Sequence, residues 1–250
     1  MPKSIVLTRS FFYEIFVFSS SQFLSAKKVL SFISSIFAFL TQFLLTNQVA
    51  TGLALTLFGL GFSAFVGKGY TEESIQLIAA VDIPFLSDIP LIGPLLFSFN
   101  PLVYLAFFMV YVVWHFLFKT KQGLILRAIG DNHDAAHAIG HKVVLYRFMA
   151  ILFGGAMAGL GGAFLTLVQV PIWGEGMTAG RGWIALGLVV FASWLPFRVI
   201  LGAILFGGIT ILQLHAQGFN IRISAQYLSM LPYLATIVIL VALRIRLKNK

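Results

Sequence analysis

The chain contains no cysteine, which excludes disulfides and thiolate metal sites. Charge is also scarce. Only 10% of its 250 residues are charged, with 8 Asp and Glu against 17 Lys and Arg, where an ordinary soluble domain carries about 25%. No Gly-rich loop followed by Lys and Ser or Thr is present, so the chain lacks the standard phosphate-binding loop for hydrolysing a nucleotide. The carboxylates Asp131 and Asp134 lie three residues apart with no nucleophile or metal-ligand set beside them, and no catalytic role or cofactor is expected. Within the apolar stretches ionisable groups are nearly missing: His115 stands near the end of one and His215 just beyond another. An ion-coupled carrier would normally place a carboxylate or histidine inside the membrane.

What the chain does have is apolar surface. Hydrophobic residues make up 59% of it and mean hydropathy is +0.96, more than a water-soluble fold can bury. They fall in blocks near the ~20 residues that a helix needs to cross a bilayer core. The pattern predicts an all-α fold, a polytopic transmembrane helical bundle of about six to seven segments. The segments are placed at about Val29–Leu45, Val49–Val66, Pro101–Phe118, Phe148–Val170, Trp183–Leu195, Val199–Leu214 and Met230–Leu243. The fifth is short enough to be a partial or tilted span, and Pro196-Phe197-Arg198 is read as a turn.

A formal net charge of +9 invites a nucleic-acid reading, but the positions of the charges argue against one. Lys119, Lys121, Arg127, Lys142 and Arg147 share one polar loop, and Arg244, Arg246, Lys248 and Lys250 close the chain. Cytoplasmic loops are enriched in Lys and Arg. With residues 119–147 placed in the cytoplasm, the acidic loop Gly67–Asn100 falls outside and the C-terminus falls inside. Lys27 and Lys28 precede the first segment and run against this assignment if that segment spans. A secretory signal peptide with Arg9 as its basic end is one reading of the start, although no small-x-small cleavage site follows.

The most informative stretch is Gly123 to Gly140. Asp131 or Asn132 can cap a new helix, and Ala135–Ile139 is strongly helix-forming, which predicts a short helix–turn–helix lying across one membrane face. It is either a knob for a soluble partner or an amphipathic interfacial helix. His133, His137 and His141 recur every four residues, the spacing of a possible metal site. No acidic ligand completes a set, and an exposed polar face is the favoured reading.

That stretch resembles the cytoplasmic coupling segment of ABC importer permeases. The similarity extends through Thr46–Gly59, Val81–Pro84, Leu86–Pro90, Phe153–Gly159, Trp173–Ala185 and Met230–Leu234 to the second permease of nucleoside and simple-sugar importers, relatives of the branched-chain amino-acid permeases. It covers about residues 46–250. Residues 1–45 do not match, so a shortened or divergent N-terminus is expected, and with it a non-functional truncated permease as an alternative to a working one.

The resemblance implies a membrane-spanning permease subunit in a bacterial plasma (inner) membrane, moving nucleosides or a related small polar solute. It implies an ABC ATPase subunit, a second homologous permease and an extracytoplasmic lipoprotein as partners, within membrane lipid and without nucleic acid. Carried over, Arg127, Gly130, Asp131, Ala135, Ala136 and Gly140 would meet the ATPase. Trp173, Glu175, Arg181 and Trp183, in a Gly-rich stretch, are candidates for the substrate pathway, their alternative being an outer interfacial loop with Trp anchors. Gly154, Gly155, Gly159 and Gly162 are expected at a helix crossing, where small residues let backbones approach.

Overall fold

The computed structural model describes residues 31–71, 77–78, 98–178 and 180–218 and the single positions Met230, Leu234, Ile237, Val238 and Val241. The start of the chain, Glu72, Glu73, Asp82 and Asp88 of the acidic loop, most of the last predicted segment and the basic C-terminus lie outside the described residues.

Among the described residues the regular structure is helical throughout: α1 (Ser31–Gln42), α2 (Gln48–Gly67), α3 (Pro101–Lys119), α4 (Lys121–Asp131), α5 (His133–Ala138), α6 (Val143–Phe164), α7 (Arg181–Phe191) and α8 (Pro196–Gly218). A 3₁₀ turn, Lys68–Tyr70, follows α2, and α6 continues into a π-helical turn, Leu165–Gln169. Met230, Leu234, Ile237, Val238 and Val241 are helical. Among the described residues three helices are long and apolar enough to cross a membrane, Gln48–Gly67, Pro101–Lys119 and Val143–Gln169. Their side chains include large exposed apolar groups such as Leu57, Phe65, Phe108 and Met149. In hydrocarbon this costs nothing, whereas every backbone N–H and C=O must find a partner within the chain, a condition that helices meet.

The chain forms two compact units. One comprises the described residues up to Tyr104 with Ile125–Met177; the other comprises Leu105–Leu124 with the described residues from Thr178 onward.

In the first unit, α1 and α2 form a hairpin. Asn47 caps α2, its Oδ1 accepting from the N–H groups of Val49 and Ala50 at 3.0 and 3.1 Å, and Thr46 donates back to the Leu40 carbonyl at 2.9 Å. The Phe43 ring meets Phe148 of α6 edge-on at 6.2 Å. At the opposite end of α2, the Trp173 indole fills the place that a side chain on Gly67 would take. α2 and α6 therefore run parallel, and the α1–α2 turn lies at the same end of the unit as the start of α6. α6 buries Ala156, Gly159 and Ala163, followed by Leu167 in the π turn.

The π turn changes the hydrogen-bond pattern of the last turn of α6. There the Leu167 carbonyl accepts from the N–H of Ile78 at 2.9 Å. The carbonyl of Ile78 in turn accepts from Asn100 Nδ2 at 2.6 Å, while Asn100 Oδ1 accepts from the N–H of Leu102 at 3.0 Å and so caps α3. Asn100 is buried, and its amide ties Ile78 to the start of α3, while Ile78 itself links on to Leu167.

In the second unit, α7 and α8 pack as a hairpin because Gly202 has no side chain: a Cβ there would lie 2.9 Å from Phe191 and 3.1 Å from Leu188. The turn between them is not at Pro196-Phe197-Arg198. Those residues form the first turn of α8, where the missing proline N–H is harmless and its φ suits a helix. The reversal occurs just before, at Ser193 and Trp194, both with positive φ, 50° and 63°. On α3, Trp114 touches Phe197 at 5.3 Å and lies beneath the Lys119 ammonium at 5.7 Å.

Candidate functional site: a capped helical knob and a Gly-rich stretch

The polar loop folds as the predicted helix–turn–helix, α4 and α5. Its entry is a tight joint. Thr120 donates to the Phe116 carbonyl at 2.6 Å and accepts from the N–H of Gly123 at 3.0 Å, and a Cβ on Gly123 would run into the Phe116 carbonyl and Leu117. Only glycine lets α4 leave α3 at this angle.

Of the two candidate caps for α5, Asn132 holds the position. Its backbone is extended and its Oδ1 accepts from the N–H of Ala135 at 3.0 Å. α5 ends with Gly140 at φ +93°. The N–H of Gly140 donates to the His137 carbonyl at 2.9 Å, and the N–H of His141 donates to the Ala136 carbonyl at 3.1 Å. This paired closure over a left-handed residue is a Schellman motif. A helix of only 6 residues gains little from propagation alone, so its two caps and its packing hold it.

The packing is a small core in which Ile129 of α4, Ala136 of α5 and Val143 of α6 are buried, with Ile125 and Tyr146 against them. Burying Ile129 contributes about 2 kcal/mol. The core fastens α4 and α5 to the first turn of α6, so a push on α5 reaches a helix long enough to cross the membrane.

The six expected coupling residues divide by exposure. Arg127, Gly130, Asp131, Ala135 and Gly140 are exposed. Ala136 is 4% exposed and faces the core, so it positions the knob without being presented by it. Ile139 was not among the candidates, yet it is 77% exposed between the end of α5 and Gly140. A large apolar side chain just before a terminating glycine was its only sequence signal.

The histidines do not form one helical face. α5 stops at Ala138, so His141 lies beyond the helix that the four-residue spacing assumed. His133 instead contacts Asp134 at 3.2 Å. No group of three His, Cys, Asp or Glu among the described residues is placed to hold a metal.

The Gly-rich stretch is shared between the units: Trp173 and Glu175 belong to the first, Arg181 and Trp183 to the second. Gly176 and Gly180 take positive φ, 71° and 73°, and Gly180 precedes α7, which Arg181 opens. Trp173 is half-buried against Gly67, Glu175 is exposed, and Trp183 is 67% exposed. Of the expected packing glycines, Gly159 is buried and Gly155 half-buried, whereas a Cβ on Gly154 or Gly162 would meet nothing within 4 Å. The buried small face of α6 runs through Ala156, Gly159 and Ala163.

Apolar helices of membrane-crossing length that carry a capped helical knob define a polytopic membrane protein with a compact polar projection. The comparisons agree: residues 29–242 match the permease component of branched-chain amino acid transport systems, and the chain belongs to that family. It is 37% identical to a putative glucose ABC transporter permease of Haloferax volcanii, over 83% of this chain and 70% of that protein. It is 31% identical to a nucleoside ABC transporter permease of Lactococcus lactis, over 83% and 68%, and 30% identical to a guanosine ABC transporter permease of Bacillus subtilis, over 78% and 63%. The chain thus spans about two thirds of the length of these relatives. No solved structure matches it. As a permease component it is embedded in the membrane and not itself catalytic, and it works with a separate ATPase and a substrate-binding protein.

Proposed function

We propose that this chain is a membrane-spanning subunit of an ABC importer for nucleosides or a closely related small polar solute, with the α4–α5 knob as its contact for the ATPase. The observation that carries this reading is the Ile129–Ala136–Val143 core, a rigid link from an exposed, doubly capped helix to the start of α6. Arg127 and Asp131 can make charge-assisted contacts with a soluble partner, and Ile139 offers an apolar anchor. The basic residues of 119–147 favour the cytoplasm for this end, which gives a multi-pass chain with a cytoplasmic C-terminus. Two of the three relatives described above are named for nucleoside substrates, which favours that class over glucose. A second, homologous permease and a lipoprotein substrate-binding protein complete the assembly in this reading.

For the substrate pathway, this reading gives the stacking on a nucleobase or sugar face to Trp173 or Trp183, and the gating to Glu175 or Arg181. Glycine at positive φ there allows irregular backbone, which at membrane depth is tolerated where protein or a cavity covers it.

The test is co-expression with an ATPase and a binding protein, followed by uptake of labelled guanosine and glucose into vesicles. ATP-dependent guanosine uptake supports the reading. Glucose uptake alone would change the substrate, uptake driven by an ion gradient without ATP would make the chain a secondary transporter, and an intact but inactive assembly would make it a non-functional permease.

A further inference from the structure

Where α5 ends and α6 begins, the surface holds a groove of about 600 Å³, within the ~300–1,000 Å³ range of small-ligand sites. Its lining combines two chemistries. Phe43, Val144, Leu145 and Phe148 make an apolar wall, whereas His137, His141 and Lys142 line the rest, and no acidic side chain is among the lining residues. Lys142, the N-cap residue of α6, makes no side-chain cap bond, and the Val143 N–H is met by the His141 carbonyl at 2.9 Å; the positive end of the helix dipole lies at these lining residues.

The groove's depth follows from the length of α6 with its π turn. Its 27 residues, at ~1.5 Å each, span about 40 Å against a bilayer core of ~30 Å. The surplus of about 10 Å is enough for the first turn of α6 to stand at the headgroup level with Phe148 at the edge of the hydrocarbon. Leu44 and Leu45, 58% and 82% exposed on the adjoining α1–α2 turn, extend the apolar surface at this level.

We infer that this groove binds an anionic phospholipid, its phosphate held by Lys142 with His137 and His141 and one acyl chain laid along Phe43, Val144, Leu145 and Phe148. Basic pockets at membrane-helix ends recognise anionic headgroups in this way. Charge complementarity selects the occupant: a zwitterionic lipid would bring a second cation to a site that already presents the Lys142 ammonium and no carboxylate. A soluble protein would have to reach below the headgroups to cover Phe148. Because Val143 of α6 belongs to the core that holds α5, a bound lipid would also brace the knob. The inference rests on α6 crossing a bilayer and not on which solute is carried.

The purified complex would be equilibrated in nanodiscs holding equal phosphatidylcholine and phosphatidylglycerol, and the lipids retained after transfer to detergent counted by native mass spectrometry. The native chain should retain phosphatidylglycerol preferentially. Lys142→Gln should reduce that preference about fivefold, as expected for one basic residue near a surface, while Lys142→Arg preserves it. Circular dichroism and membrane yield of each variant would separate lost binding from lost folding, and Leu145→Ser, which keeps the charge, should also lower retention. Equal retention of the two lipids, or unchanged preference in a folded Lys142→Gln variant, overturns the proposal. So does cross-linking that finds the ATPase subunit seated on Leu145 and Phe148.

Discussion

The backbone N–H of His141 donates to the Ala136 carbonyl across 3.1 Å, closing α5 over Gly140 at φ +93°. A left-handed position costs an L-residue about 1–2 kcal/mol, so Gly140→Ala strains the closure although a Cβ would meet nothing nearby. The expected result is normal membrane insertion with ATP hydrolysis in the assembled complex less tightly coupled to uptake. Gly140→Trp should uncouple more fully by adding bulk at the contact. Uptake per ATP, normalised to membrane level, is the measurement, and unchanged coupling in both variants would show that the knob does not transmit.

The other end of α5 offers a finer perturbation. Asn132→Ala removes the bond to Ala135 and should cost about 1 kcal/mol of local stability, whereas Asn132→Ser should retain most of it. Hydrogen exchange at the N–H of Ala135 and Ala136 should rise in the alanine variant and stay near the native rate in the serine variant.

Asn100 carries the corresponding load away from the knob. Asn100→Ala removes the side-chain partners of the Ile78 carbonyl and the Leu102 N–H, and each half-buried orphan costs up to about 1–3 kcal/mol. The melting temperature in detergent should fall clearly. Asn100→Asp keeps the acceptor that caps α3 but loses the donor to Ile78, so an intermediate fall is expected.

Gly67 and Trp173 make a reciprocal test of the pathway end. Any side chain at position 67 displaces the indole, so Gly67→Val should reduce uptake if Trp173 lines the route. Trp173→Ala should impair uptake by itself, and the double variant should be no worse than Trp173→Ala alone. Losses that simply add would assign the pair to packing. Glu175→Gln, assayed beside them, asks whether the exposed carboxylate gates.

The long helices were legible because runs such as Val49–Val66 and Pro101–Phe118 have no competing explanation, and lipid demands helix there. The α4–α5 pair was legible from its capping residues and its Ala-rich helix. The α7–α8 turn was not, because Ser193 and Trp194 carry no left-handed signal and the nearby proline drew the turn onto itself. The histidine periodicity misled for a related reason: it ran across Gly140, whose φ ends the helix before His141. Ala136 and Ile139 show what pattern alone leaves open, since the packing of α5 on Ile129 and Val143 decides which apolar residue is core and which is presented.

Because the chain has no cysteine, a single introduced thiol can be labelled without background. The most direct test places a photoactivatable cross-linker on Ile139→Cys in the complex assembled with its ATPase, with Trp183→Cys as the comparison. The account predicts an ATPase adduct from position 139 and none from 183. An adduct from 183 alone, or none from 139 in an assembled complex that transports, would contradict it.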